Sequence, residues 1–185
     1  MELVVPGASH VDQYAAALAR GWSPDTIDPG AIEQQLAQIR ADPIGFVARL
    51  DDRDGSGDPV VLPDGSRVRR LPSFRRWMWD DGFVGTIGFR WQPGSADLPP
   101  HVLGHIGYAV VPWAQRRGYA TEALRQLLRE VQDLDLPHVD LTTDPDNVAS
   151  QRVIAANGGV LIERFTKPAA YGIDQQALRW RVDLK

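Results

Sequence analysis

Residues 104–133, Gly-His-Ile-Gly-Tyr-Ala-Val-Val-Pro-Trp-Ala-Gln-Arg-Arg-Gly-Tyr-Ala-Thr-Glu-Ala-Leu-Arg-Gln-Leu-Leu-Arg-Glu-Val-Gln-Asp, decide how the chain is read. Ile106 to Val111 is a short run of β-branched and aromatic residues closed by Pro112, which predicts a strand. Ala120, Leu124, Leu127, Leu128 and Val131 recur at helical spacing, and Glu122, Arg125, Arg129 and Glu130 fall on the opposite face. Between strand and helix lies Gln115-Arg116-Arg117-Gly118-Tyr119-Ala120. A glycine there lets the backbone turn tightly, and the first helical turn offers amide N–H groups without internal acceptors. With the positive end of the helix dipole and two arginines, the turn is a candidate site for a phosphate or pyrophosphate. The other reading of the same residues is a solvated basic turn. Neither Gly-x-x-x-x-Gly-Lys-Ser/Thr nor Gly-x-Gly-x-x-Gly occurs after a strand, so the two familiar phosphate loops are excluded.

The flanks add elements in a consistent order. Val11, Tyr14, Ala15 and Leu18 give a helical stripe behind Ser9 and Asp12, and Asp28-Pro29 leads a second helix with Ile32, Leu36 and Ile39 inward. Asp42-Pro43 opens a third. Residues 51–58 are a charged, Gly-rich turn, and Val60–Leu62 with Arg67–Arg69 flank Pro63-Asp64-Gly65 as a hairpin. Phe74–Asp80 and Phe83–Trp91 form a second hairpin, in which Trp77 and Trp79 share a face. Arg67, Arg69, Arg70, Arg75 and Arg76 read as solvated edge charge or as a surface for an anion. Beyond the central helix come a strand at 138–142, a helix opened by Asp144-Pro145-Asp146-Asn147 and closed at Asn157-Gly158-Gly159, and strands at 160–165 and 177–184. This order predicts an α/β (α+β) mixed sheet with helices on both faces.

At 185 residues the chain suits one domain, 1–185. A net charge of −4 makes nucleic acid an unfavoured partner, and no apolar run is long enough for a membrane span. No signal peptide is visible at Met1–Pro6, so a cytoplasmic protein is expected. The absence of cysteine removes disulfides, thiolate metal sites and a cysteine-bound acyl intermediate. The four histidines, His10, His101, His105 and His138, show no metal-ligand spacing, so no metal is expected.

The turn resembles the acyl-CoA-binding signature of the GNAT superfamily of N-acetyltransferases, Gln/Arg-x-x-Gly-x-Gly/Ala. It is met here by Gln115, Gly118 and Ala120, after a strand ending in Val-Pro and before Thr121-Glu122-Ala123-Leu124. Asn147-Val148-Ala149-Ser150 is similar to the family's Asn-x-x-Ser/Ala helix. Gly104–Tyr108 and Ile154–Gly159 resemble a bacterial branch of predicted acetyltransferases. The likeness is good over 104–160, weaker over 74–103 and 161–184, and supplies little for 1–73. It divides the chain into N-terminal helices with a variable hairpin (1–73) and an acyl-CoA-binding core (74–185).

The resemblance implies a mostly antiparallel central sheet in a GNAT-like acyl-CoA N-acyltransferase fold. It implies transfer of acetyl from acetyl-CoA, as cosubstrate, to a primary amine of a small molecule or peptide by direct attack in a ternary complex. Backbone groups near Val110 and Val111 would pair with pantetheine, and the amides of Arg117 to Thr121, with Gln115, Arg116, Arg117, Gly118, Tyr119 and Ala120, would hold the pyrophosphate. Asn147 and Ser150 would lie beside the pantetheine arm. Ile154 occupies the position where many members carry a tyrosine acid, which leaves Tyr108, Tyr119 and Tyr171 as candidates. For the general base, pleat alternation would put His105 on the face of Gly107 and Ala109, and an imidazole titrates near neutrality. Asp80, Asp81 and Glu163 are the reserves. Residues 51–73 are expected on the acceptor side, and the C-terminal strand and Trp-rich hairpin offer a homodimer surface. Two alternatives stand: a non-catalytic acyl-CoA-binding or regulatory module, and an acetyltransferase of protein N-termini or aminoacyl-tRNA.

Overall fold

The computed structural model describes residues 1–25, 30–62, 65–171 and 174–184. The expected helix opening at Asp28-Pro29 and the Pro63-Asp64 turn lie outside the described residues.

The elements run Glu2–Val4 (β1), Val11–Ala19 (α1), Ala31–Ala41 (α2), Pro43–Ala48 (α3), Asp51–Asp52 (β2), Val60–Val61 (β3), Arg67–Val68 (β4), Ser73–Trp79 (β5), Phe83–Arg90 (β6) and Ile106–Val110 (β7). They continue Tyr119–Glu130 (α4), His138–Thr143 (β8), Val148–Ala155 (α5), Val160–Thr166 (β9) and Gln176–Asp183 (β10). The predicted strands from residue 73 onward match to within a residue or two. Two pieces escaped the sequence reading, β1 and β2, both of which pair with β5. Each is too short to show a period. Ser9 does not cap α1; the cap position is His10, without a side-chain bond. Asp42 does cap α3, its carboxylate accepting the Gly45 amide at 2.8 Å.

The strands form an antiparallel sheet in the order β1-β5-β6-β7, with β2 also on β5, and a second antiparallel sheet β8-β10-β9. Helices cover both faces of the first sheet, and alternation along β5 shows how. Phe74, Arg76 and Met78 point one way, and Arg76 reaches Glu130 on α4. Trp77 points the other way and stacks on Tyr14 of α1 at 4.7 Å between ring centroids. Trp77, Tyr14, Phe74, Leu124, Leu127 and Ile154 are among the largest fully buried side chains. Burying each such apolar group contributes about 1.5–3 kcal/mol, so this two-sided core dominates stability. Trp22 packs edge-on against Phe83 at 5.3 Å and belongs to the core.

Among the described residues the two sheets are joined by hydrogen bonds at the start of β7. His105 N–H donates to Asp140 O at 2.7 Å, and the Thr142 hydroxyl donates to Leu103 O at 2.6 Å. Gly104 permits that approach: a Cβ there would stand 3.0 Å from Asp140 O and 3.3 Å from Leu141 Cα. Beyond the junction the sheets part, and among the described residues β6 is the only strand paired with β7. No helix among the described residues is long and apolar enough to cross a membrane.

Candidate active site

The unpaired edge of β7 leads straight into the basic turn. Val111 N–H donates back to Val84 O at 3.0 Å. Backbone groups of an antiparallel strand alternate sides, so the N–H and C=O groups of Tyr108 and Val110 face the open edge. The expectation that Val111 offers backbone groups to a ligand is corrected: its N–H is spent on Val84, and its C=O accepts from Ala114 at 2.9 Å. Val110 C=O meets the Gln115 side-chain amide at 3.4 Å, which braces the turn against the strand.

After a short 3-10 turn at Pro112–Ala114, the backbone enters left-handed conformations at Arg116 (φ 64) and Gly118 (φ 81). Gly118 is the N-cap residue of α4 and no side chain caps that helix. The first helical bond runs from Glu122 N–H to Gly118 O at 3.0 Å, which leaves the amides of Tyr119, Ala120 and Thr121 without helical acceptors. A Cβ at Gly118 would meet nothing within 4 Å, so the space above the turn is open. Arg116 and Arg117 are both exposed. The residues present therefore fit a pyrophosphate: free amides at a helix N-terminus, exposed guanidiniums, and room.

Asp80 supports this turn. It accepts the Tyr119 hydroxyl at 2.5 Å, pairs with the Met1 ammonium at 3.3 Å, and lies 3.9 Å from Arg117, whose guanidinium rides over the Tyr119 ring. The Tyr119 hydrogen bond, then the Met1 ammonium, hold its carboxyl below the usual carboxylate range, which makes it a poorer base. Glu163 pairs with Arg179 at 2.9 Å on β9, and Asp81 is an exposed residue of the β5–β6 turn.

Tyr108 spans the gap between the sheets. Its hydroxyl is 2.7 Å from Ser150 Oγ on α5, and burial pushes its pKa up to about 12. Asn147 caps α5 by accepting the Ser150 amide at 3.0 Å. Asn147 and Ser150 thus stand at the mouth of the gap, opposite the β7 edge. Ile154 is sealed in the core at 1% exposure. Tyr119 is buried against Asp80, and Tyr171 donates to His101 O at 2.7 Å.

His105 is not where pleat alternation placed it. Its N–H points to Asp140 on β8 while its C=O accepts from Arg90 on β6, so the backbone is irregular there and alternation does not extend to it. The side chain is 0% exposed, lies near-parallel to Phe89, and accepts the Asp140 amide at Nδ1 over 2.9 Å. Burial lowers its pKa to about 4, outweighing the attraction of Asp140. The expectation of an imidazole open to an acyl group is corrected: His105 is a neutral core group that joins the two sheets.

One feature of the sheet face turned toward α1 was not singled out from sequence. Gly88 of β6 and Gly107 of β7 are Cα partners and form a bare strip. Arg75 lies over Gly88 and Arg90 reaches over Gly107. Arg90 has the same parity as Gly88, a signal visible in the sequence but meaningless without the register.

Residues 15–160 match the family described as Acetyltransferase (GNAT) domain. No curated protein matches the chain. Among solved structures, the fold is similar to the microcin C7 self-immunity acetyltransferase MccE in complex with acetyl-CoA and AMP, at 12% identity and TM-score 0.63 over 98% of this chain and 91% of that one. It is similar to the ribosomal L7/L12 α-N-protein acetyltransferase RimL in complex with coenzyme A, at 14% identity and TM-score 0.66 over 98% and 92%. The acetyltransferase from Salmonella typhimurium that modifies the N-terminal serine of L7/L12 gives 14% identity and TM-score 0.65 over 100% and 95%. The family match spans most of the chain and the fold agrees with it: this chain belongs to the GNAT acetyltransferases and is an acetyl-CoA-dependent acetyltransferase.

Proposed function

We propose that the protein acetylates a primary amine of a small molecule or peptide by direct attack in a ternary complex. The observation that carries this reading is the unpaired β7 edge running into the uncapped, glycine-turned N-terminus of α4. Acetyl-CoA supplies the acyl group as a thioester. The amides of Tyr119 to Thr121 and the guanidiniums of Arg116 and Arg117 bind its pyrophosphate. The Tyr108 and Val110 backbone holds the pantetheine amides as an added strand would be held, with Asn147 and Ser150 on the far side.

The amine nitrogen bonds to the carbonyl carbon, the C–S bond breaks, and a proton leaves the nitrogen while the sulfur gains charge. Tyr108 is suited to steady that sulfur as a hydrogen-bond donor. With a pKa of about 12 it stays protonated, and handing its proton to a thiolate of pKa about 8.5 would be uphill. His105 is sealed away, so the amine gives its proton to solvent.

The test is calorimetry of CoA binding beside thiol release from acetyl-CoA with a panel of amines and short peptides. Binding with turnover on free amines supports the reading. Binding without turnover on any member leaves a non-catalytic module, and turnover confined to peptides makes it an N-terminal acetyltransferase, as the Salmonella typhimurium protein is.

A further inference from the structure

Seven of the eighteen arginines lie within 4.0 Å of a carboxylate among the described residues. Arg76, Arg117, Arg125, Arg179 and Arg181 each have a carboxylate within 4.0 Å. Arg75 and Arg90 are among those without one, and only they lie over the glycine strip. Among the described residues neither guanidinium makes a hydrogen bond, an ion pair or a ring contact.

Their placement is specific. Arg75 is the Cα partner of Gly88, and a Cβ on Gly88 would lie 3.4 Å from Arg75 Cγ. A Cβ on Gly107 would lie 3.9 Å from Arg90 Nη2. Both side chains therefore cross the glycine strip where side chains would otherwise stand. Arg90 keeps open surface although protein atoms crowd round it. Desolvation first, and then the like charge of Arg75, lower its pKa, while Tyr171 and Asp25 act in the opposite sense. Two guanidiniums against one carboxylate leave surplus positive charge over the strip. The strip borders β7 on the face opposite α4, beside the strand edge assigned above to the acyl donor.

Like charges crowded with too little counter-charge favour an anion that bridges them, and guanidinium forks bind carboxylate and phosphate in the same way. We infer that Arg75 and Arg90 clamp an anionic group of the acceptor, so that the acceptor is a primary amine carrying a carboxylate or a phosphate. This inference rests on the proposed acetyl transfer for the role of the strip, but not for the preference for an anion.

The experiment uses matched amines, glycine against glycinamide and phosphoethanolamine against ethanolamine, with thiol release as the readout. In at least one pair the anionic member is expected to have a KM lower by ~10–100-fold. Arg90→Met and Arg75→Met should collapse that ratio by ~10-fold or more, and Arg90→Lys should restore part of it, with CoA affinity by calorimetry unchanged. Comparing ratios between enzymes cancels the differing basicity of the amines. The pair with the larger ratio tells carboxylate from phosphate. Equal KM within both pairs, or variants that weaken neutral and anionic members alike, would overturn the clamp. Calorimetry of the same four amines into the CoA-loaded protein separates the two readings. An anion preference that Arg90→Met abolishes, without turnover, supports the clamp and sinks only acetyl transfer; absence of any preference overturns the clamp.

Discussion

The two ends of β7 are built to opposite rules. At its start, His105, Asp140 and Arg181 form a buried joint in which Asp140 accepts two bonds from Arg181, at 2.8 and 3.0 Å, while its amide serves His105. At its far end, the Tyr108–Val110 edge has no strand partner among the described residues, α4 has no side-chain cap, and Arg116 and Arg117 stand in solvent. Two residues, Ile106 and Gly107, separate a histidine whose chemistry suits a base from the edge where that chemistry would be used. Burial, not side-chain type, assigns the roles. If the division is sound, changes at the closed end should alter stability and spare CoA binding, and changes at the open end should do the reverse.

The largest effect is expected from Asp140→Ala. It strands Arg181, whose pKa the Asp140 hydrogen bond raises, and should cost about 3 kcal/mol in urea unfolding, near the lower end for broken buried pairs because Arg181 keeps 35% of its side chain exposed. CoA affinity of the folded protein should not move; a parallel loss of affinity would break the comparison. Gly118→Asp is the mirror case. It puts a like charge at the pyrophosphate site and should weaken CoA binding by ~100-fold, while stability falls by at most about 1 kcal/mol because the left-handed φ disfavours a side chain. Calorimetry and thermal melts on the same samples check both halves.

The third test uses pH. A folded-state pKa near 4 lies below the unfolded value of about 6.5, so the unfolded chain takes up the proton first as pH falls. The contribution of neutral His105 is thus complete above about pH 6.5 and is lost progressively toward pH 4. Between pH 7 and 5 wild type should lose on the order of 2 kcal/mol through this group. His105→Asn keeps an acceptor for the Asp140 amide and should remove that slope. It should leave the acidic limb of turnover in place; a lost limb would return His105 to the reaction. The smallest effect is expected from Tyr108→Phe, about tenfold in kcat for one hydrogen bond to the sulfur, with CoA affinity kept. Unchanged kcat would make the hydroxyl only a tether between β7 and Ser150.

The same lesson is written in adjacent residues of β5. Arg75 and Arg76 look alike in a run of basic residues, and the run was read as one solvated edge or one anion surface. Arg76 is 6% exposed and held by Glu130 and Asp51, with its guanidinium over Phe74. Arg75 crosses the glycine strip without a counter-ion. Alternation puts the two on opposite faces; only the packing decided that Arg76 is sealed beneath α4 while Arg75 stays half-exposed over the strip.

What the sequence determined by itself was whatever local periodicity and backbone chemistry encode: the strand-turn-helix at 106–131, the helical stripes, the alternating C-terminal strand, and Gly118 as a residue able to turn left-handed before an uncapped helix. These depend on neighbours within a few positions, so the chain carries them openly. What tertiary structure alone decided was every relation across distant segments. It spent both backbone groups of Val111, tied Asp80 to Tyr119 and Met1, set Tyr108 against Ser150, and brought Arg75 and Arg90 over a glycine pair. It also withdrew His105 from solvent, because a bend in one strand handed that residue's N–H to another sheet, and desolvation then fixed its charge state.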